Sequence, residues 1–264
     1  MHSLPAEGFL SIAEMQLEYR FFGHDRARSP MIVMLHEGLG SIQTWGEFPK
    51  ALADVTGTRV LVYSRNGYGS SPSTQQQLPI DYIRDHALNV LPHILDRIGF
   101  ERGILLGHSD GASMCAAYAG TTQDPRLCGL VLIAPHFFVE AETLAEIRNA
   151  REAYKKGALR QRLARYHADV DAAFMRWNDV WLKPEFAGFN LRTEVTNIRA
   201  PLLVLRGEGD KYGTSRQVSF AEQTARCELK TLVLADCGHV PHREKRVETV
   251  DAIRAFCAPL LTAA

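Results

Sequence analysis

The chain has 264 residues, enough for one large α/β domain with a substantial buried core. Its 30 Lys and Arg residues balance its 30 Asp and Glu residues, so its net charge favours neither a nucleic acid nor an anionic membrane as partner. The five cysteines are scattered without Cys-x-x-Cys spacing, which argues against a disulfide framework or a structural zinc site. Because no signal-peptide pattern and no apolar run of membrane-spanning length is found, we expect a soluble, cytoplasmic protein with no membrane partner.

Strand-like and helix-like segments alternate along the chain, which predicts the α/β class: a mostly parallel, twisted sheet with helices on both faces. Residues 11–22 predict one or two antiparallel edge strands. Residues 83–98 predict a long helix with one apolar face, which Pro92 should kink. Apolar runs predict further strands at 31–35, 60–63, 104–106, 130–134, 202–205 and 232–234, and a closing helix is expected at 247–256.

A long interval with helical character separates two of the predicted strands. We therefore expect a core formed by residues 1–135 and 198–264, with a helical cap inserted at 136–197 over the carboxyl edge of the sheet.

The predicted cap contains one clearly amphipathic helix face. Val170, Phe174, Trp177 and Trp181 fall on this face at helical spacing. The two tryptophans either line a pocket or pack the cap helices onto each other and onto the core. The sequence leaves both possibilities open.

A Gly-x-Ser-x-Gly pentapeptide follows the apolar run at 104–106. At a sharp strand-to-helix turn, such a motif lifts the serine above the sheet and requires small residues two positions away, because the backbones crowd there. Gly107 and Gly111 meet this requirement around Ser109. The pattern predicts a nucleophile elbow, although the pentapeptide alone also fits an ordinary strand-turn-helix junction.

An acid and a base follow two later strands. Asp210 comes just after the strand at 202–205, and His239 just after the strand at 232–234. Since open α/β sheets bind ligands at the carboxyl ends of their strands, both side chains should lie at the edge that carries Ser109. A serine nucleophile needs a base and a group that orients the base. We predict Ser109 as nucleophile, His239 as general base and acid, and Asp210 as its orienting group.

Acyl transfer also requires donors for the negative charge that develops on the carbonyl oxygen. One predicted donor is the backbone N–H of Asp110, directly after the nucleophile. The other is the N–H of Gly38, in a glycine-containing loop after His36 where the backbone can approach closely.

Taken together, these motifs resemble the α/β-hydrolase superfamily, in particular its cap-bearing branch of small bacterial esterases and carbon-carbon bond hydrolases. The resemblance spans nearly the whole chain and implies the α/β-hydrolase fold, the same triad and the same two amide donors. The motifs that carry it are His36 with Trp45, the turn at 65–71, the elbow at 107–111, Gly207 to Asp210, and Gly238-His239.

Two carboxylates depart from the family pattern. Glu37 could form an ion pair with Arg65, and Asp110 could interact favourably with the positive end of the helix that it begins. A polar substrate subsite is the alternative. We hypothesise a buried network of Glu37, Arg65 and Asp110. The candidates for the substrate pocket are Glu37, His136, Trp177 and Trp181, and His136 together with Glu140 could instead hold the cap in place.

Other patterns argue against metals and cofactors. His239 and His242 have His-x-x-His spacing, but Pro241 lies between them and no third ligand follows, so we expect His242 to form a hydrogen bond within its loop. Gly67-Tyr68-Gly69 lacks the third glycine of a dinucleotide fingerprint. We expect no metal and no cofactor.

The sequence therefore predicts a cofactor-free serine hydrolase that cleaves an ester, lactone or thioester bond of a small-molecule substrate through an acyl-enzyme on Ser109. One alternative is a hydrolase of carbon-carbon bonds in aromatic ring-cleavage products, which uses the same triad. Another is a hydrolase-like ligand receptor with little turnover.

Overall fold

A computed structural model describes residues 4–24, 30–74 and 77–262 of the chain. Within these ranges eight strands form one sheet. They are β1 (Glu7–Ile12), β2 (Met15–Phe22), β3 (Met31–Leu35), β4 (Arg59–Tyr63), β5 (Gly103–His108), β6 (Leu127–Ile133), β7 (Leu202–Gly207) and β8 (Leu229–Leu234). The strand order is β1-β2-β4-β3-β5-β6-β7-β8. The β1–β2 and β2–β4 pairs are antiparallel and the other pairs are parallel.

The central strands are buried on both faces, which explains their continuous apolar sequence. In β3, Val33 and Leu35 pack into the hydrophobic core on one side of the sheet, whereas Ile32 and Met34 pack into the core on the other side. The predicted mostly parallel sheet with helices on both faces is thus confirmed. The helices of these two layers are α1 (Phe48–Thr56), α2 (Tyr82–Asp85), α3 (Leu91–Arg97), α4 (Asp110–Thr122), α9 (Ser215–Thr224), α10 (Pro241–Glu244) and α11 (Arg246–Thr262).

The long helix expected at 83–98 is present and is distorted near its proline, as predicted. A π-helical turn at His86–Val90 separates α2 from α3, and Pro92 lies in the first turn of α3. A proline is tolerated there because its missing N–H would have no helical acceptor in the first turn. The π-helical turn takes up the irregularity without ending the helix.

Four α-helices and one 3₁₀ helix, Pro184–Gly188, lie between β6 and β7, where the sequence predicts an insert. An isolated bridge between Phe138 and Asn190 and a 2.5 Å hydrogen bond from the N–H of Leu191 to the carbonyl of Phe137 join the two ends of this segment. The apolar face predicted from Val170, Phe174, Trp177 and Trp181 is confirmed, because all four side chains are buried on one helix, Val170–Leu182. The four helices are α5 (Ala141–Lys155), α6 (Ala158–Leu163), α7 (Val170–Leu182) and α8 (Arg192–Asn197).

No helix in the described ranges is both long enough and apolar enough to cross a bilayer.

Several histidines are buried in this fold, and His86 is the clearest example away from the sheet edge. Its Nε2 atom lies 2.7 Å from the hydroxyl oxygen of Tyr63, and the two rings are stacked. Burial, helped by the positive charge of Arg65, lowers the pKa of His86 from 6.5 to about 3. The folded state therefore holds His86 in its neutral form.

This burial predicts the pH dependence of stability. At pH values between the folded pKa of His86 and its ordinary value of 6.5, the unfolded chain binds a proton on this ring and the folded chain does not. The free energy of unfolding therefore falls as the pH is lowered through this range. Replacing His86 by Gln should reduce the slope of the unfolding free energy against pH by up to about 1.4 kcal/mol per pH unit. Urea unfolding between pH 4 and 6 measures the slope, with His93→Gln at an exposed position as control. An unchanged slope in His86→Gln would contradict the prediction.

Candidate active site

The strand-to-helix turn after β5 holds Ser109 in an unusual backbone conformation. Its φ is 54° and its ψ is −117°, a left-handed geometry that costs a non-glycine residue about 1–3 kcal/mol. The N–H of Ser109 donates a 2.8 Å hydrogen bond to the carbonyl of Ile133, which ties the turn to β6. A Cβ atom at Gly111 would lie 2.1 Å from the carbonyl oxygen of Leu35, so only glycine lets α4 begin this close to β3.

The three residues predicted as a triad lie in hydrogen-bonding contact. The Nε2 atom of His239 is 3.0 Å from the Oγ atom of Ser109. On the other side of the ring, the Nδ1 atom of His239 is 2.8 Å and 2.9 Å from the two carboxylate oxygens of Asp210. The tautomer with a proton on Nδ1 leaves Nε2 free to accept the proton of the serine hydroxyl.

Asp210 is held in one orientation by its own loop. Its Oδ1 atom accepts hydrogen bonds from the backbone N–H groups of Tyr212 and Gly213, and the side chain is 1% exposed. Burial acts to raise its pKa, but the charge of His239 and the hydrogen bond from its ring, helped by His136 and by the N–H of Tyr212, outweigh burial and lower the pKa to about 2. Asp210 is therefore a carboxylate throughout the neutral range.

The two amide groups predicted as oxyanion donors are free of protein acceptors. Among the described residues, neither the N–H of Gly38 nor the N–H of Asp110 donates a hydrogen bond. The indole of Trp177 lies over Gly38, and a Cβ atom on Gly38 would come within 2.0 Å of its Nε1 atom. Glycine at this position thus lets α7 approach the loop that carries the first amide.

Arg65 fixes this loop, but not through the predicted ion pair. Its guanidinium donates hydrogen bonds of 2.5 Å and 2.9 Å to the backbone carbonyls of His36 and Glu37, and its N–H donates to Nε2 of His36. The hypothesised network of Glu37, Arg65 and Asp110 is therefore wrong in its connections. Arg65 binds backbone oxygens, and each of the two carboxylates has a different partner.

The carboxylate of Glu37 points at His108, the residue before Ser109. Its Oε2 atom lies 3.5 Å from Nδ1 of His108. Burial acts to raise the pKa of Glu37, but the nearby ring of His108 and the charges of His36 and His242 outweigh it and hold the pKa well below its usual range. Glu37 was a candidate for the substrate pocket, and the structure places its carboxylate against His108.

The carboxylate of Asp110 is buried in a second polar chain. The hydroxyl of Tyr82 donates a short hydrogen bond to its Oδ2 atom, and Nε1 of Trp181 donates to that hydroxyl at 2.9 Å. Burial raises the pKa of Asp110 above its ordinary value, although Arg65 and the Tyr82 hydrogen bond oppose this effect. This chain links the beginning of α4 to α7.

His136, predicted near the substrate, lies close to the catalytic candidates. Its ring centre is 5.8 Å from that of His239 and 5.3 Å from that of Trp181. Its Nε2 atom donates to the carbonyl of Tyr212, and burial, helped by the charge of His239, lowers its pKa to about 4. Glu140 accepts hydrogen bonds from the backbone and side chain of Thr214 and from Gln217, which joins the insert to α9.

His242 does not form the hydrogen bond expected of it. Its Nδ1 atom is buried with no hydrogen-bond partner among the described residues. The ring packs 4.8 Å from Trp45, 5.3 Å from Phe48 and 4.8 Å from His108, measured between ring centres. In the described ranges, no group of three or more His, Cys, Asp or Glu side chains is arranged to hold a metal ion.

Sequence reasoning missed Tyr82 and His108 as parts of the site. Tyr82 begins a helix 28 residues before Asp110, and nothing in that spacing signals their contact. His108 occupies the variable position of the serine pentapeptide, where the motif sets no residue type.

The Tyr82–Asp110 contact yields a stability prediction. Tyr82→Phe leaves the buried Asp110 carboxyl without its donor, so we expect a loss of about 1–3 kcal/mol in the free energy of unfolding. Chemical denaturation measures it. Tyr118→Phe is the matched control, because its hydrogen-bond acceptor Asp124 keeps several bonds from Arg126 and the loss should be smaller. Equal losses in the two variants would refute the prediction.

Curated proteins with similar sequences match only part of the chain. It is similar to the proline iminopeptidase of Lactobacillus delbrueckii subsp. lactis, with 26% identity over 126 residues that cover 48% of this chain and 42% of that protein. It is also similar to the proline iminopeptidase of Lactobacillus helveticus, with 29% identity over 112 residues that cover 42% and 37% of the two chains. The matched region thus spans less than half the length of these relatives.

Comparison with solved structures covers nearly the whole chain. A membrane phospholipase A described as a bacterial virulence factor superposes with a TM-score of 0.79 at 19% identity, covering 97% of this chain and 87% of that chain. The enol-lactonase of Burkholderia xenovorans superposes with a TM-score of 0.73 at 20% identity, covering 94% and 99%. At these identities the likeness shows the fold. Residues 32–252 match the family model described as the alpha/beta hydrolase family, so the chain belongs to that family.

Proposed function

We propose that this protein is a serine hydrolase that needs no cofactor and cleaves an ester, lactone or thioester bond of a small molecule. The observation that carries the proposal is the continuous line of hydrogen bonds from Asp210 through His239 to Ser109. Such a line supplies a nucleophile, a base and a group that orients the base. Every group that the reaction needs is then a side chain or backbone amide of this chain.

In the first half of the proposed reaction, Ser109 attacks the carbonyl carbon of the substrate. His239 takes the hydroxyl proton on Nε2, which is 3.0 Å from Oγ. The carboxylate of Asp210 stabilises the imidazolium and keeps Nδ1 protonated. His239 then gives the proton to the leaving group, which departs as an alcohol or thiol and leaves an acyl group on Ser109.

The second half repeats these roles with water. His239 removes a proton from a water molecule, which attacks the acyl carbon, and then returns a proton to Oγ of Ser109. In both halves the carbonyl oxygen becomes negatively charged. We propose that the free N–H groups of Gly38 and Asp110 stabilise this charge, a contribution that reaches about a hundredfold or more in rate for one donor.

The helices between β6 and β7 support the proposal of a cap at 136–197. Trp177 contacts Gly38, and the indole of Trp181 packs beside His136. This segment therefore places both tryptophans next to residues that surround Ser109. We propose that Trp177, Trp181 and His136 line the substrate pocket. Since His136 is held neutral and the indoles are uncharged, these walls favour an uncharged group.

The proposed roles predict graded losses of activity. Ser109→Ala should abolish turnover, and Asp210→Asn should lower kcat about ten-thousand-fold, because His239 then loses the partner that fixes its tautomer. Initial rates on a chromogenic ester measure both losses. Asp236→Asn, an exposed acid in the loop after β8, is the control and should keep full activity. Full activity in Ser109→Ala would exclude the acyl-enzyme.

The bond type is decided by a substrate panel. We expect turnover of chromogenic esters, lactones or acyl thioesters, and none of it in Ser109→Ala. The panel also contains vinylogous diketone acids as carbon-carbon substrates and a prolyl amide, the latter because of the iminopeptidase relatives. Turnover of only these last two would replace the proposed bond class, and no turnover of any substrate by a folded protein would favour a ligand receptor.

A further inference from the structure

The indole N–H of Trp177 is a hydrogen-bond donor that the fold leaves without an acceptor. Within the described ranges its Nε1 atom donates no hydrogen bond, although the residue is only 6% exposed. The nitrogen is not among the unpartnered polar atoms of these ranges that are fully enclosed by protein, so part of its surface is open. Since nearly all polar groups inside proteins have a partner, an open and unpaired N–H in the proposed pocket is available to a bound molecule.

The other two tryptophans of the chain differ from Trp177 in this respect. The Nε1 atom of Trp181 donates a 2.9 Å hydrogen bond to the hydroxyl of Tyr82. The Nε1 atom of Trp45 has no partner in the described ranges, but it is enclosed, and its ring packs against Phe48 and His242. Of the three indoles, Trp177 alone has an N–H that is both unpaired and open.

The nitrogen-bearing edge of Trp177 lies on the loop of the first proposed amide donor. A Cβ atom at Gly38 would be 2.0 Å from Nε1, 2.5 Å from Cδ1 and 2.9 Å from Cε2, so the nitrogen is the nearest atom of the ring. The Nε1 atom therefore lies beside the Cα atom of the residue whose backbone N–H is free. Two unpaired N–H groups, one from this loop and one from α7, are neighbours at this point.

Contacts on either side of Trp177 fix α7 over the sheet edge. Before it, Nη1 of Arg176 donates a 3.1 Å hydrogen bond to the backbone carbonyl of Asn66. One turn after it, Trp181 lies on the same helix face and is linked through Tyr82 to the carboxylate of Asp110. The same face of α7 thus reaches both residues whose amides are proposed as oxyanion donors, because Trp177 contacts Gly38 and Trp181 is linked to Asp110.

We propose that the indole N–H of Trp177 is a third donor to the oxyanion, beside the amides of Gly38 and Asp110, and that Trp177 is therefore a catalytic residue. The inference rests on the proposed function. The acceptor is the carbonyl oxygen of the bond that is cleaved. As Ser109 attacks, this oxygen gains negative charge, so the hydrogen bond from Trp177 is stronger in the transition state than in the bound substrate.

An indole N–H has two properties that suit this role. It only donates hydrogen bonds and does not titrate near neutral pH, so its contribution does not change with the pH of the assay. Its ring is held in place by packing, with Phe174 in edge contact at 6.1 Å between ring centres, so the donor is already oriented when the charge develops. Because Trp177 lies between β6 and β7, that segment would take part in the chemistry as well as line the pocket.

Trp177→Phe removes the N–H and keeps an aromatic ring over Gly38. With a chromogenic ester we expect kcat to fall about tenfold to a hundredfold and KM to stay within about threefold, because the lost hydrogen bond acts mainly in the transition state. Trp45→Phe is the matched control, since it removes an enclosed indole N–H and should leave kcat within about threefold of wild type. Melting temperatures show that each variant is folded. An unchanged kcat in Trp177→Phe, with or without a higher KM, would overturn the proposal.

NMR of the wild-type protein reads the hydrogen bond directly and needs no turnover. Labelling with ¹⁵N gives one indole N–H resonance for each of the three tryptophans, and the Trp→Phe variants assign them. When an organophosphonate reacts with Ser109, a phosphonyl oxygen takes the place of the oxyanion. We expect the Trp177 proton to move downfield and those of Trp45 and Trp181 to stay in place.

The same experiment separates this inference from the proposed function. Mass spectrometry establishes whether Ser109 carries the phosphonyl group. A labelled Ser109 with an unmoved Trp177 resonance would overturn the third donor and leave the serine hydrolase intact. A Ser109 that is never labelled would overturn both.

Discussion

The hydrogen bond between His239 and Ser109 is the contact on which the site depends. It joins residues 130 positions apart in the sequence, and its 3.0 Å length requires both strand ends to lie at one edge of the sheet. The parallel order β5-β6-β7-β8 provides that edge. Ser109 has a positive φ at this turn and its side chain contacts His239, and the close packing of Gly111 on Leu35 maintains the turn.

Two buried acids near Ser109, Asp210 and Asp110, have opposite electrostatic environments. Asp210 accepts hydrogen bonds from His239 and from backbone N–H groups, so its pKa is lowered to about 2 despite burial. For Asp110, burial dominates and the pKa is raised, with Tyr82 as hydrogen-bond donor. Asp210 thus faces His239, whereas Asp110 connects the beginning of α4 to α7 through Tyr82 and Trp181.

The sequence was sufficient for those parts of the site that depend on strand ends. Ser109, Asp210 and His239 each follow an apolar strand directly, so an α/β sheet necessarily brings them near one another. The buried face of α7 was also predictable, because helical periodicity is a local signal. Contacts between loops were not. The path of the loop after His36 decides whether Glu37 meets Arg65 or His108, and this path depends on the hydrogen bonds that Arg65 makes to backbone oxygens. Likewise His242 packs on Trp45, a contact between distant residues that spacing does not indicate.

The most direct test of the account is a crystal structure of the protein after reaction with an organophosphonate. The account predicts a covalent bond from Oγ of Ser109 to phosphorus, with one phosphonyl oxygen accepting hydrogen bonds from the N–H groups of Gly38 and Asp110 and with Nε2 of His239 within hydrogen-bonding distance of Oγ or of another phosphonyl oxygen. An adduct on another residue, or a phosphonyl oxygen directed away from both amides, would contradict it.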